Sequence, residues 1–86
     1  MEIIEIERTY RSFRKKEFED YFIERGKYKS PNCYIGDGWE VFLGEERKEF
    51  AGSIEFVAVT IYLKLSSDIA EEFTTDLRMS FLKGGG

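Results

Sequence analysis

The chain has 86 residues, of which 42% are hydrophobic, 35% charged and 16% aromatic, and its net charge is −4. This length predicts one small domain over residues 1–86, and the acidic balance disfavours a general nucleic-acid-binding role. No run of about 18 apolar residues is present and the first residues are acidic, so the sequence predicts neither a membrane span nor a signal peptide. The single cysteine excludes an internal disulfide, which favours a cytoplasmic location, and the many Glu, Lys and Ile residues are typical of a thermophile.

The first third of the chain predicts a strand followed by a helix. Residues 3–10 alternate at period two and place three apolar side chains, Ile4, Ile6 and Tyr10, on one face. Ser12 is predicted to cap a helix that runs to about Arg25 and buries Phe18, Tyr21 and Phe22. Gly26 is a natural helix end, and the proline-containing residues 27–32 predict a loop.

The remainder predicts a strand meander and a second helix. Residues 33–35 and 39–43 are short strands joined by a glycine-rich turn at residues 36–38, and residues 46–51 are a candidate strand before the long strand 54–65. Asp68 is predicted to begin the last helix, whose apolar stripe recurs every four residues as Ile69, Phe73, Leu77 and Phe81. A flexible glycine tail, residues 84–86, is predicted to follow.

These elements predict an α+β fold of two layers. The order β-α-β-β-β-β-α gives an antiparallel sheet of four or five strands, and two amphipathic helices should cover one face of it. The other face should remain open, because residues 54–65 are largely apolar on both faces. Phe42 is out of phase with Trp39 and Val41, so Phe42, Phe56 and Tyr62 are predicted to lie on the open face as a partner or ligand surface.

The order of elements resembles the TATA-binding-protein-like folds. It is similar in particular to the C-terminal domain of prokaryotic proteins related to the small subunit of molybdopterin synthase. The resemblance covers most of the chain through element order alone, so it implies a fold and transfers no functional residue.

The Gly85-Gly86 ending is similar to the ending of ubiquitin-like sulfur carriers, which include the small subunit of molybdopterin synthase. That resemblance implies a tail that enters the active site of an activating enzyme. In those carriers the tail leaves a β-strand, whereas residues 68–83 here predict a helix, and the alternative is a tail without a function.

A basic cluster at the start of the first helix is the candidate anion site. Arg11, Ser12, Arg14 and Lys15 lie at a predicted helix N-terminus, where cations are disfavoured unless an anion binds. A phosphate or carboxylate is the expected ligand. The alternatives are a solvated basic face and ion pairs with Glu17, Glu19 and Asp20.

The sequence favours no catalytic or metal site. Cys33 is the only thiol and the chain has no histidine, so Cys33 is predicted to be a packed residue at a strand start. No spacing of acidic residues is typical of a calcium loop, and no cofactor is predicted. The first functional hypothesis is therefore a non-enzymatic binding or assembly module, a homodimer or a protein-partner complex. The alternative is an accessory or carrier protein of molybdopterin or sulfur metabolism that acts through the anion site or the Gly-Gly tail.

Overall fold

The computed structural model describes residues 2–82, which form one antiparallel sheet of six strands and two helices. The strands lie side by side in the order β1-β6-β4-β3-β2, and β5 pairs with β6 beyond the end of β4. The elements in chain order are β1 (Ile3–Arg11), α1 (Lys15–Arg25), β2 (Lys27–Ser30), β3 (Cys33–Gly36), β4 (Trp39–Leu43), β5 (Arg47–Ala51), β6 (Ile54–Ser66) and α2 (Ala70–Ser80). The predicted α+β class is confirmed, with one more short strand than the sequence indicated.

The long strand β6 organises the sheet. Along one edge, its residues 58–66 pair with the whole of β1. Along the other edge, β4 and then β5 pair with successive parts of β6, so the candidate strand at 46–51 is a real one. Between the two pairings, the three residues 44–46 lie opposite only two residues of β6, 59 and 60. This edge therefore contains one extra residue, as in a β-bulge.

The core lies between the sheet and both helices. One face of β6 supplies Val59, Ile61, Leu63 and Leu65, which are at most 1% exposed and alternate along the strand with the residues of the predicted open face. The helices bury their apolar stripes against these residues, with Phe18, Phe22 and Leu77 among the fully buried side chains. Both helices therefore cover the same face of the sheet, as predicted.

Phe81, at the end of α2, packs against two aromatic rings of α1. Its ring stacks on that of Phe18 with centroids 4.3 Å apart, and it meets the ring of Tyr21 edge-on at 5.2 Å. Such ring pairs contribute about 0.5–1.5 kcal/mol beyond the area that they bury. These ring contacts pack the C-terminal end of α2 against α1.

The predicted loop at residues 27–32 was wrong. Residues Lys27–Ser30 form β2, which pairs with β3 even though each of its four side chains is exposed. Pro31 and Asn32 make a two-residue connection, and Asn32 has φ 67°, the left-handed conformation that the third position of a type II turn requires. The proline therefore marks a hairpin turn rather than the interior of a loop.

Both predicted helix caps were also wrong. Ser12 has φ 73° and its backbone N–H donates to the carbonyl of Val57 at 2.8 Å, so it continues the pairing of β1 and α1 begins later, at Lys15. Asp68 accepts a hydrogen bond from the Ser66 hydroxyl and lies before α2, which begins at Ala70. In each case the polar side chain or backbone has a partner outside the helix.

Candidate functional site on the open face of the sheet

The face of the sheet that no helix covers carries the two predicted aromatics at its centre. Phe42 and Tyr62 are cross-strand neighbours, their ring centroids lie 6.2 Å apart, and they are 49% and 45% exposed. Phe56 lies further along β6 on the same face, half-buried opposite Glu49. The structure thus places all three predicted side chains on one open face.

A depression of about 480 Å³ surrounds the two rings. Strand β1 supplies Glu5 and Glu7, whose neighbours on β6 are Lys64 and Tyr62 respectively. Its complete lining is Glu5, Ile6, Glu7, Cys33, Glu40, Phe42, Tyr62, Leu63 and Lys64. The site therefore combines two exposed aromatic rings with three carboxylates and one ammonium group.

One wall of the depression is a hydrogen-bonded cluster of a lysine, a glutamate and the cysteine. Glu40 accepts from Lys29 Nζ at 2.8 Å and from Cys33 Sγ at 3.4 Å. The hydrogen bond from Lys29 makes the largest contribution to lowering the pKa of the Glu40 carboxyl, and the hydrogen bond from Cys33 makes the next largest. Burial is the main cause that raises the pKa of the Cys33 thiol, and the hydrogen bond to Glu40 raises it further. Both effects favour the protonated thiol over the reactive thiolate. Cys33 is buried, which agrees with the packing role expected from the sequence.

A polar network occupies the other end of the open face. Thr60 is 6% exposed, and its Oγ1 lies 2.8 Å from Thr9 Oγ1 and accepts from Arg47 Nη1 at 3.1 Å. Glu49 accepts from Arg47 Nη2 at 3.3 Å and from Arg11 Nε at 3.1 Å. These contacts pair the polar side chains at this end of the face, whereas the depression presents two half-exposed aromatic rings.

The residues of the predicted anion site contact carboxylates of the chain itself. Glu46 accepts from the backbone N–H of Lys15 at 3.0 Å, and its other carboxylate oxygen lies 3.6 Å from Arg14 Nη1. Arg11 pairs with Glu49, as described, and the Lys15 ammonium lies 3.8 Å from a Glu45 carboxylate oxygen. The helix N-terminus therefore receives an internal anion, and binding of an external one at Arg11, Ser12, Arg14 and Lys15 stays a prediction.

Residues 2–82 were compared with the features of a metal site and of a membrane-spanning helix. No group of three or more potential metal ligands occurs among them. No helix in that range is long and apolar enough to span a membrane.

The carboxylates of the depression were not singled out from the sequence, although part of the signal was present. The alternation of β1 places Glu5 and Glu7 on the face opposite Ile4 and Ile6. What the pattern lacks is the order of strands, which brings β1, β6 and β4 side by side. Only that order places Glu7 beside Tyr62 and Phe42.

Comparison with known proteins relates the chain to a protein family. A family model described as archaeal MoaD-like protein matches residues 6–86, nearly the whole chain. This match agrees with the resemblance to proteins related to the molybdopterin synthase small subunit. No curated protein and no solved structure matches the chain significantly. The matched range includes the glycine tail, residues 84–86, which lies outside the described residues.

Proposed function

The chain belongs to the archaeal MoaD-like protein family, and on that premise we propose that it is a non-enzymatic protein-binding module of molybdopterin or sulfur-cofactor metabolism. It acts in the cytoplasm and docks another protein surface on the open face of its sheet. The observation that supports this role is the pair of half-exposed rings, Phe42 and Tyr62, at the centre of a face that no helix covers. Contiguous exposed apolar patches of this kind usually mark interaction surfaces.

The open face is large enough for a stable interface. The molecule measures 46 × 26 × 20 Å, and the 13 residues of β6 account for about 43 Å of the longest dimension. A standard interface buries roughly 800 Å² on each partner. The six strands contain 40 residues, so the sheet covers about 630 Å² in flat projection, at roughly 3.3 Å per residue and 4.8 Å per strand, and its protruding side chains add accessible area to that figure.

The occupant is either a second copy of the chain or a different protein, and a native mass spectrum of the untagged protein separates the two. A doubled mass at micromolar concentration assigns the face to a homodimer. Phe56→Asp and Tyr62→Asp should then return the monomer mass while the far-ultraviolet circular dichroism spectrum stays unchanged. A dimer that survives both substitutions, with the helix content intact, would contradict docking on this face.

A second candidate function is that of a carrier that acts through the glycine tail. The observation in its favour is that the family match continues to Gly86. Incubation with an activating enzyme and ATP should convert the C-terminal carboxylate to an adenylate with release of pyrophosphate. Attack of added sulfide on the acyl carbon should then break the acyl–phosphate bond, release AMP and leave a thiocarboxylate. An unchanged intact mass would contradict this function. A variant in which Gly86 is replaced by alanine is the matched control.

A further inference from the structure

We infer that the partner surface presents an arginine or lysine side chain to the depression around Phe42 and Tyr62. This specificity depends on the docking function proposed for the open face. It concerns the chemistry of the partner: a cationic group flanked by apolar residues, rather than an acidic or wholly apolar segment.

The charges of the depression supply the first argument. Glu5 lies across from Lys64, and Glu40 is paired with Lys29. Glu7 lies across from Tyr62 instead and makes no salt bridge with any part of the chain that the structure describes. Glu5 makes no salt bridge there either, so two of the three carboxylates of the depression are without a salt bridge beside its aromatic rings, and Lys64 supplies its single ammonium group.

The nature of the rings supplies the second argument. An aromatic face attracts a cation, most often the guanidinium of arginine, and a nearby carboxylate adds a charge-assisted hydrogen bond. An acidic partner segment would meet three carboxylates, and an apolar one would cover Glu7 without a partner, which is costly. A cation with an apolar stem satisfies both the rings and Glu7.

The chain already contains one complete site of this kind elsewhere. The guanidinium of Arg25 lies 3.7 Å from the centroid of the Tyr21 ring, and its Nε lies 3.4 Å from an Asp76 carboxylate oxygen. Tyr62 and Glu7, which are cross-strand neighbours, supply an aromatic ring and a carboxylate on the open face. The element that they lack is the cation, which the partner would supply.

The test uses a blocked Leu-Arg-Leu tripeptide titrated into the whole protein, with backbone amides followed by NMR. The control peptide has citrulline in place of arginine, because citrulline has nearly the same shape as arginine but no charge. We expect the arginine tripeptide to shift amides of residues 5–7, 40–42 and 62–64 and to bind about tenfold more tightly than the citrulline one. Affinity should also fall as salt is raised.

Two pairs of substitutions separate a local effect from net charge. The double variant Glu5→Gln with Glu7→Gln should weaken binding of the arginine tripeptide about tenfold. The control is Glu71→Gln with Glu72→Gln, which changes the net charge equally on the exposed surface of α2 and should leave binding unchanged. Equal losses in the two variants would overturn the inference.

The outcomes also distinguish this inference from the docking function on which it depends. Equal binding of the arginine and citrulline tripeptides at these amides would overturn the cationic specificity while supporting docking. If a second copy of the chain covers the same amides and prevents the arginine tripeptide from binding, the cationic specificity is likewise overturned and docking on this face is supported. Absence of binding by either tripeptide, together with a monomer mass, would contradict both.

Discussion

Removal of the Glu46 side chain tests how the first helix is anchored to the sheet. This carboxylate follows β4 and accepts a hydrogen bond from the first N–H of α1, that of Lys15, at 3.0 Å. It therefore acts as a helix cap supplied by a distant part of the chain. The neighbouring Glu17 satisfies a second N–H at this end by accepting from Arg14 N at 2.7 Å.

The magnitude follows from the contacts that Glu46→Ala removes. Loss of a side-chain cap costs about 1 kcal/mol, and loss of a negative charge at a helix N-terminus costs about 0.3–1 kcal/mol. The ion pair with Arg14 adds little because the Arg14 side chain is 72% exposed. We expect the free energy of unfolding to fall by about 1.3–2 kcal/mol for Glu46→Ala. Glu46→Gln retains an acceptor oxygen and should lose about 0.5–1 kcal/mol.

The assay is urea unfolding followed by circular dichroism, with Glu45→Ala as the control. Glu45 is 83% exposed and lies only within ion-pair distance of Lys15, so its removal should cost under about 0.5 kcal/mol. Equal midpoints for Glu46→Ala and Glu45→Ala would refute the capping role.

A phosphate titration followed by NMR tests the predicted anion site. If the site exists, phosphate should shift the backbone amides of residues 12–16 more in Glu46→Ala than in the native chain. No shift in either protein would contradict that prediction.

Three further predictions concern the core. Phe81→Ala removes the ring stacked on Phe18 and should lower the free energy of unfolding by about 2–3 kcal/mol in urea titrations, below the cost for a fully buried ring because Phe81 is only partly buried. Gly26→Ala would place a Cβ 2.2 Å from the Ile35 carbonyl oxygen, so a loss of about 3 kcal/mol and a lower melting temperature are expected, and an unchanged melting temperature would contradict this packing. Burial and the hydrogen bond to a carboxylate raise the pKa of Tyr21 to about 12 from 10.0. As pH rises, the unfolded state loses the Tyr21 hydroxyl proton before the folded state does. The stabilisation from this pKa difference is therefore complete below pH 10 and should disappear as pH rises to about 12. Urea titrations across that range should show this loss in the native chain and not in Tyr21→Phe.

The strands with a buried face could be predicted from the sequence because burial imposes a period of two. The alternation in β1 correctly placed Ile6 and Tyr10 against the core, although Ile4 on the same face is 37% exposed, and Trp39–Leu43 was predicted with its observed bounds. Strand β2 has no buried face, so its pattern contains no such signal. Pairing with β3 forms it instead, and pairing is not visible in a local window.

The candidate site divides along the same physical line. The parity of Phe42 and Tyr62 within their own strands placed them on the open face. The position of Glu7 beside Tyr62 depends on pairing between residues 55 apart, which no local pattern encodes. Likewise, the capping role of Glu46 depends on the connection after β4 reaching the start of α1.

The most direct test of docking on the open face is site-specific photo-crosslinking in the organism that makes the protein. A benzophenone amino acid replaces Tyr62, so the aromatic character of the site is retained, and the same amino acid at Glu71 on α2 is the control. We predict that irradiation yields one adduct of defined mass from position 62, either twice the chain mass or the chain plus one partner, and none from position 71. The same adducts from both positions, or none from position 62, would contradict the account.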